Sequence, residues 1–322
     1  MNTASPVASL RPAVPTAPAT PTPAPLDLRA TAVMTLLCLL WSLQQISLKA
    51  VAPLASPMLM IALRSAIAAS LLGLLMWRRG EGLGAGRWRP GLLAGGLFGL
   101  EYLLVSQALT LTAASHVVVF LYTSPIFAAL GLHLRLPAER LGPRQAGGIA
   151  LAFGGIAWAF LEGHPAGAAG GGTASLLGDL LALLAGAAWG ATTVTIRCST
   201  LAQAPATETL LYQLLGALVL LLPAAALGGQ WHFEPGPVVW AHLAFQAVIV
   251  SFASFLTWCW LLRHYLASRL GVFSFLTPLL GVLLGAWLLG EALEPAFLGG
   301  SALVLAGIAL VSSGGRRVDG RR

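Results

Sequence analysis

Two stretches of this chain read as copies of one another: ASHVVVFLYTSPIFAALGLHLRLPAERLGPRQAGGIALAFGGIAWAF at residues 114–160 and ASRLGVFSFLTPLLGVLLGAWLLGEALEPAFLGGSALVLAGIALVSS at residues 267–313. Ser115 pairs with Ser268 and Pro125 with Pro278. After a one-residue adjustment Glu139 falls on Glu291, Pro143 on Pro295, and the Gly147-Gly148 pair on Gly299-Gly300. A bilayer core about 30 Å thick needs roughly 20 apolar residues per helix. Each copy therefore encodes two membrane spans and their connection, and a match that runs through both spans marks an architectural repeat.

Toward the N-terminus of each copy the likeness continues more weakly, with WSLQQISLK (41–49) resembling WGATTVTIR (189–197). The repeating unit thus covers five helices. Apolar runs separated by Gly, Pro and charged breaks predict ten spans, near 31–50, 57–77, 91–111, 115–134, 144–161, 175–196, 207–227, 238–261, 268–289 and 295–313. The chain is 57% hydrophobic and 9% charged, with a mean hydropathy of +0.83, an imbalance that a soluble domain of this size could not bury. The expected fold is an all-α integral membrane protein of ten transmembrane helices in two inverted five-helix repeats. A Pro-, Ala- and Thr-rich stretch over 1–29 reads as a disordered cytoplasmic tail, 30–161 as the first repeat, 175–313 as the second, and 314–322 as a basic cytoplasmic tail.

An odd number of helices per unit makes the second copy enter the membrane from the opposite side, which gives a pseudo-twofold axis in the membrane plane and suits alternating access. Charge placement tests the count, because Lys and Arg are retained on the cytoplasmic side. Arg78, Arg79, Arg87, Arg89, Arg135, Arg140, Arg144, Arg197, Arg263, Arg269 and both termini fall on one side. The opposite loops, around 52–56, 112–114, 162–174, 228–236 and 291–294, hold no Lys or Arg. Both termini are expected in the cytoplasm, with the protein in the inner (plasma) membrane. The net charge of +7 comes from Lys and Arg scattered singly rather than gathered on a face, so nucleic acid is not an expected partner. Cys38, Cys198 and Cys259 show no CxxC or Cys/His spacing, and no metal or cofactor is expected.

The Trp in the first helix of each unit, the Ala-Ser entry to each fourth helix, the proline inside it and the Glu followed by paired glycines resemble the drug/metabolite transporter superfamily, specifically its EamA-type permeases. The resemblance spans roughly residues 31–313. It implies a ten-helix inner-membrane carrier with a central cavity, commonly an exporter of amino acids, amines or other metabolites.

Charge inside a span is costly and marks function by default. Arg64 and Glu101 are therefore candidates for a substrate or proton site, or for a buried ion pair in which each neutralises the other. Gln44 and Gln213 head the intramembrane amides, ahead of Gln45, Gln107 and Gln246, and each needs a partner in another helix or a polar cavity. Trp41, Tyr102, Tyr122, Trp189, Tyr212 and Trp258 lie inside spans, away from the interfacial belts, and could line a cavity for an organic cation or planar substrate. Pro125 and Pro278 read as hinges repeated in both halves or as static kinks. Lys49 reads as a snorkelling side chain, and Glu139 and Glu291 as hydrated or as acceptors for the next helix's N-terminus. Glycines at four-residue spacing, such as Gly91, Gly95 and Gly99, present bare backbone for close helix contact.

Rival classes are an intramembrane enzyme and a channel-like or structural membrane protein. The chain has no HExxH, no GxGD and no phosphate-binding loop, since Gly170-Gly171-Gly172 lacks a following Lys-Ser/Thr. The reading is a non-enzymatic carrier of a small-molecule substrate in a lipid bilayer, with protons as a candidate coupling ion and the oligomeric state left open. A cysteine at Gly82 is expected to react with a membrane-impermeant thiol reagent only from the cytoplasmic side, and one at Gly229 only from the opposite side. Labelling of both from one side would overturn the span count.

Overall fold

The computed structural model describes residues 28–136, 141–162, 173–264, 274 and 276–312. Most of the expected N-terminal tail, the basic tail, Glu139, Arg269, the Gly170-Gly171-Gly172 stretch and the Ala267-Ser268 entry lie outside the described residues. The first helix, α1, spans Leu28–Val51 and begins slightly before the expected boundary. It is followed by α2 (Pro57–Arg79), α3 (Trp88–Leu111), α4 (Ala114–Leu121), α5 (Ser124–Arg135), α6 (Pro143–Glu162), α7 (Thr173–Arg197) and α8 (Ala206–Leu227). A composite helix then runs from α9 (Pro237–Ala244) through a π-helical segment, Phe245–Ser254, into α10 (Phe255–His264), and α11 (Leu276–Leu289) and α12 (Pro295–Ser312) close the chain.

Among the described residues there is no strand, only an isolated bridge between Ala55 and Phe233. Seven helices are long and apolar enough to cross a membrane: α1, α2, α3, α4 with α5, α7, α8 and the composite from Pro237 to Trp258. Within the described residues α11 and α12 supply shorter apolar stretches. The helical form follows from the surroundings, since a chain in hydrocarbon must satisfy every backbone N–H and C=O within itself. Pro57, Pro143, Pro237 and Pro295 stand at helix starts, where a missing N–H costs nothing. Gly80 ends α2 in the left-handed region at φ 66°, its N–H returning to Trp77 O.

The two sequence copies interlock rather than fold apart. α3 packs along α7 and α8, α2 along α8, α6 along α12, α4 and α5 against α7, and α1 and α4 against α11. The tightest seam lies between α3 and α8, where a Cβ at Gly216 would overlap the Gly95 carbonyl and one at Gly95 would overlap Tyr212 O. Leu92, Leu93, Val219 and Trp287 face outward, as suits helices in lipid.

α4 stops at Leu121 and α5 resumes at Ser124, with Pro125 in its first turn and Thr123 Oγ1 donating to Phe120 O at 2.6 Å. Gly186 and Gly190 of α7 lie directly on this break, a Cβ at Gly190 falling 3.0 Å from Ser124 O. Pro278 likewise stands in the first turn of α11, where Ser42 Oγ of α1 lies 2.8 Å from Thr277 O. The alignment of Trp41 with Trp189 puts Ser42 on Gly190, and that of Pro125 with Pro278 puts Thr277 on Ser124. Equivalent positions thus touch equivalent carbonyls, each first helix reaching the proline-bearing turn of the other copy.

The connections are clasped at both ends. At the end carrying the Arg-rich loops, Glu208 is fully buried and accepts from Gly84 N and Arg87 Nη1, both at 2.9 Å, while Thr207 Oγ1 donates to Glu81 at 2.6 Å. At the Arg-free end the 228–236 loop pairs by main chain with the turn before α2: Ser56 N donates to His232 O at 3.0 Å and Glu234 N to Leu54 O at 2.8 Å. Gly216→Leu is expected to destabilise the protein by about 2 kcal/mol or more through overpacking, whereas Gly96→Leu, at a position with nothing within 4 Å, should leave it unchanged. Thermal melts of the two variants in detergent check this.

Candidate substrate site

A polar cluster sits where α1, α2, α3 and the π-helical segment meet. Arg64 is the single charge in an otherwise apolar stretch of α2 and is only 2% exposed. Its Nη1 donates to Gln246 Oε1 at 2.5 Å, and its Cζ stands 4.5 Å from the centroid of the Tyr102 ring. Gln246 Nε2 donates to the Gln44 carbonyl at 2.8 Å, and Gln44 Nε2 donates to the Tyr102 hydroxyl at 3.1 Å. Glu101, next to Tyr102 on α3, is 3% exposed.

The expected Arg64–Glu101 ion pair is not among the ion pairs of the described residues. The guanidinium is instead taken by an amide acceptor on one side and an aromatic face on the other, both of which solvate a cation without neutralising it. Two atoms are left over: Arg64 Nε and Glu101 Oε2 are buried with no hydrogen-bond partner. Leaving a buried polar atom unmatched costs about 1–3 kcal/mol, more for a charged group. An unmatched donor on a cation of α2 and an unmatched acceptor on a carboxylate of the adjoining α3 are the two groups a ligand of mixed charge would complete.

Other candidates gather in separate aromatic pairs. Trp41 Nε1 donates to Ser254 Oγ at 3.1 Å, and its ring meets Trp258 edge-on at 5.6 Å. Buried Tyr122 meets Trp189 edge-on at 5.3 Å. Tyr212 belongs to the α3–α8 seam, its ring lying over Gly91, and Gln213 is half-buried on the same helix; among the described residues no hydrogen bond joins either to the Arg64 cluster. Among the described residues no group of three or more His, Cys, Asp or Glu could hold a metal ion.

The Arg-free end is drawn shut around the α3–α4 corner. Lys49 is half-buried at this end, and its ammonium donates to Leu109 O at 2.5 Å and Thr112 O at 2.8 Å, capping the C-terminus of α3. Glu291 accepts from Ala114 N at 2.6 Å and Ser115 N at 3.0 Å, so it caps α4 of the other copy rather than the helix that follows it. Gly285 makes room for that carboxylate, since a Cβ there would overlap Glu291 Oε2. Asp179 of α7, fully buried, lies 2.9 Å from His116 Nδ1 and accepts from Thr112 Oγ1 at 2.7 Å, and the His116 ring stacks on Phe297 at 3.8 Å. Sequence reasoning passed over this His116–Asp179 pair; the two acid–base groups on separate spans were its available signal. Two crevices open nearby. One of about 380 Å³ is lined by Leu43, Ser47, His242 and Leu288, and one of about 600 Å³ by Lys49, Ser56, Gln230 and His232. Arg64 and Glu101 border neither.

The model of the EamA-like transporter family matches this chain twice, over residues 29–161 and 176–313. An uncharacterised protein of Pseudomonas aeruginosa is 33% identical over 176 residues, which cover 55% of this chain and 57% of that protein. The chain thus aligns with little more than half the length of that relative. A permease-like protein of Bacillus subtilis is 40% identical over 67 residues, 21% of this chain and 86% of that one. A solved crystal structure shares the fold with a TM-score of 0.62 at 24% identity, covering 91% of this chain and 99% of its own.

Each charge-assisted bond at the α4 N-terminus contributes about 1.5–3 kcal/mol, so Glu291→Gln is expected to loosen the corner. In a background with its native cysteines replaced, Ser115→Cys should react with a small thiol reagent several-fold faster when Glu291→Gln or Gly285→Ala is added. Unchanged labelling would show that the corner is held without Glu291.

Proposed function

The chain belongs to the EamA-like transporter family, a family of membrane transporters, and on that premise we propose that it is a secondary carrier exporting small amino acids or amines by alternating access. The observation that carries this reading is the two buried, unmatched atoms of opposite character, Arg64 Nε and Glu101 Oε2, on the adjoining helices α2 and α3. A zwitterion supplies both missing partners, its carboxylate accepting from Arg64 and its ammonium donating to Glu101. An amine satisfies Glu101 alone.

In this reading the ten helical units span the inner membrane as two inverted five-helix repeats, with the Arg-rich end and both termini in the cytoplasm. Gln44 and Tyr102 form the polar wall of the cavity, and Trp41, Trp258, Tyr122 and Trp189 its aromatic walls. Tyr212 and Gln213 hold the seam behind it. The grip of Lys49, Glu291 and Asp179 on the α3–α4 corner supports a conformation closed to the outside. Release of that corner, with bending at Pro125 and Pro278, opens the outward path. Glu101 carries the coupling proton, exchanging it for the substrate ammonium.

Uptake of labelled amino acids and their decarboxylated amines into proteoliposomes, with and without a pH gradient, tests the proposal. Saturable uptake is expected. Arg64→Leu should lower amino-acid uptake about tenfold or more while sparing the amines, and Glu101→Gln should remove the pH-driven component. A well-folded protein that moves no member of the panel would sink the amino-acid and amine reading.

A further inference from the structure

The sequence assigns the π-helical segment and its Gln246 no part in recognition, yet Gln246 bonds both Arg64 of α2 and the Gln44 carbonyl of α1. Long π-helical runs are rare, and short ones concentrate at functional sites, because the widened turn redirects side chains that an α-helix would hold elsewhere. Here the segment starts beside Gln246 and ends at Ser254, and it is tied to α1 near both ends, by Gln246 Nε2 to Gln44 O at 2.8 Å and by Trp41 Nε1 to Ser254 Oγ at 3.1 Å. Gln246 is fully buried and uses its amide completely in direction: the nitrogen binds α1, which leaves the oxygen pointing at Arg64 Nη1.

A guanidinium is a planar fork, so fixing one terminal nitrogen and one face fixes where the rest of the fork points. Gln246 holds Nη1 and Tyr102 covers the face, and the remaining buried donor, Nε, is the one with no partner. We infer that Gln246 is a positioning residue that aims Arg64 at a substrate carboxylate, and that the π-helical segment is the element by which the second half of the chain senses whether that carboxylate is present. The inference rests on the zwitterion reading above and deepens it. It assigns to a neutral amide on one half the selectivity between amino acids and amines that a cation on the other half expresses. Carboxylate binding at Arg64 and the position of this helix are thereby coupled through one hydrogen bond.

The test compares an amino acid with its decarboxylated amine on purified, full-length protein, by binding in detergent and by half-saturation of uptake in proteoliposomes. Gln246→Leu removes the acceptor. Gln246→Glu keeps the shape and places a carboxylate on Arg64 in competition with the substrate, so it reports even where the leucine variant folds poorly. Both variants are expected to raise the half-saturation concentration for the amino acid about tenfold, with the amine changed less than about twofold and the maximal rate retained. Equal weakening of both ligands, or an unchanged ratio, would show that Gln246 only packs the helices and would overturn the inference. The wild-type ratio separates the two claims: a wild-type protein that does not favour the amino acid refutes the Arg64 reading itself, whereas wild-type preference that survives both substitutions refutes only the role of Gln246.

Discussion

Gly95 of α3 and Gly216 of α8 bring two helix backbones into direct contact, and much of the interior takes its position from that contact. Without side chains between them the helices approach until carbonyl meets Cα, a geometry that hydrophobic attraction alone does not produce in lipid, where helix and solvent are equally apolar. The stripe continues at Gly99, over Gly216 O. Glu101 and Tyr102 follow within the next turn, so the depth and rotation of α3 at the seam decide where the carboxylate and the ring stand. From Tyr102 the order passes to Arg64 through the aromatic face and to Gln44 through the hydroxyl. A fixed backbone contact between the two copies is thus the datum from which the polar cluster is laid out.

The helices and much of the cluster could be read from the sequence because membrane burial simplifies the code. An arginine or a glutamate within an apolar run has few inexpensive explanations, so Arg64 and Glu101 stand out without knowledge of any partner, and Gln44 and Tyr102 follow as neighbours in depth. What was not legible is pairing. Whether Arg64 meets Glu101 or Gln246 depends on the rotation of four helices about their axes, and one residue of rotation is 100°. The π-helical widening that turns Gln246 inward leaves no pattern in FQAVIVSFAS. Tyr212 shows how packing hides from sequence: an aromatic inside a span reads as a cavity wall, and the glycine stripe opposite also offers its ring a bed at Gly91. Lys49, Glu291 and His116 lie near helix ends, where hydration is the ordinary fate of a polar group; Lys49 finds its carbonyls within its own copy, whereas the crossing of the copies brings Glu291 to the α4 amides and Asp179 to His116.

The repeat explains why the halves interlock. Ser42 reaches Thr277 O and Gly190 lies on Ser124 O, so the first helix of each copy rests on the broken helix of the other. One copy folded alone would leave both a break and its cover exposed to lipid, with carbonyls that hydrocarbon cannot satisfy. The difference between the contacts matters as much as the likeness: one is a hydrogen bond from a hydroxyl, the other a close approach permitted by glycine. The two contacts are therefore equivalent in place and different in kind, which makes the scaffold only nearly symmetric.

The clasps at the two ends differ in what they ask of heredity. The bridge of Ala55 and Phe233, with the flanking bonds of Ser56 and Glu234, is built from main-chain atoms, which every residue except proline carries in full. Side chains there can drift one at a time without releasing the loop. The opposite clasp depends on the carboxylate of Glu208 meeting the guanidinium of Arg87 and the amide of Gly84, and losing Arg87, which is partly exposed, strands the fully buried Glu208 charge. Arg87 therefore cannot change while Glu208 stays, so the same mechanical task leaves one end of the molecule open to mutation and ties the other to the order in which its residues change.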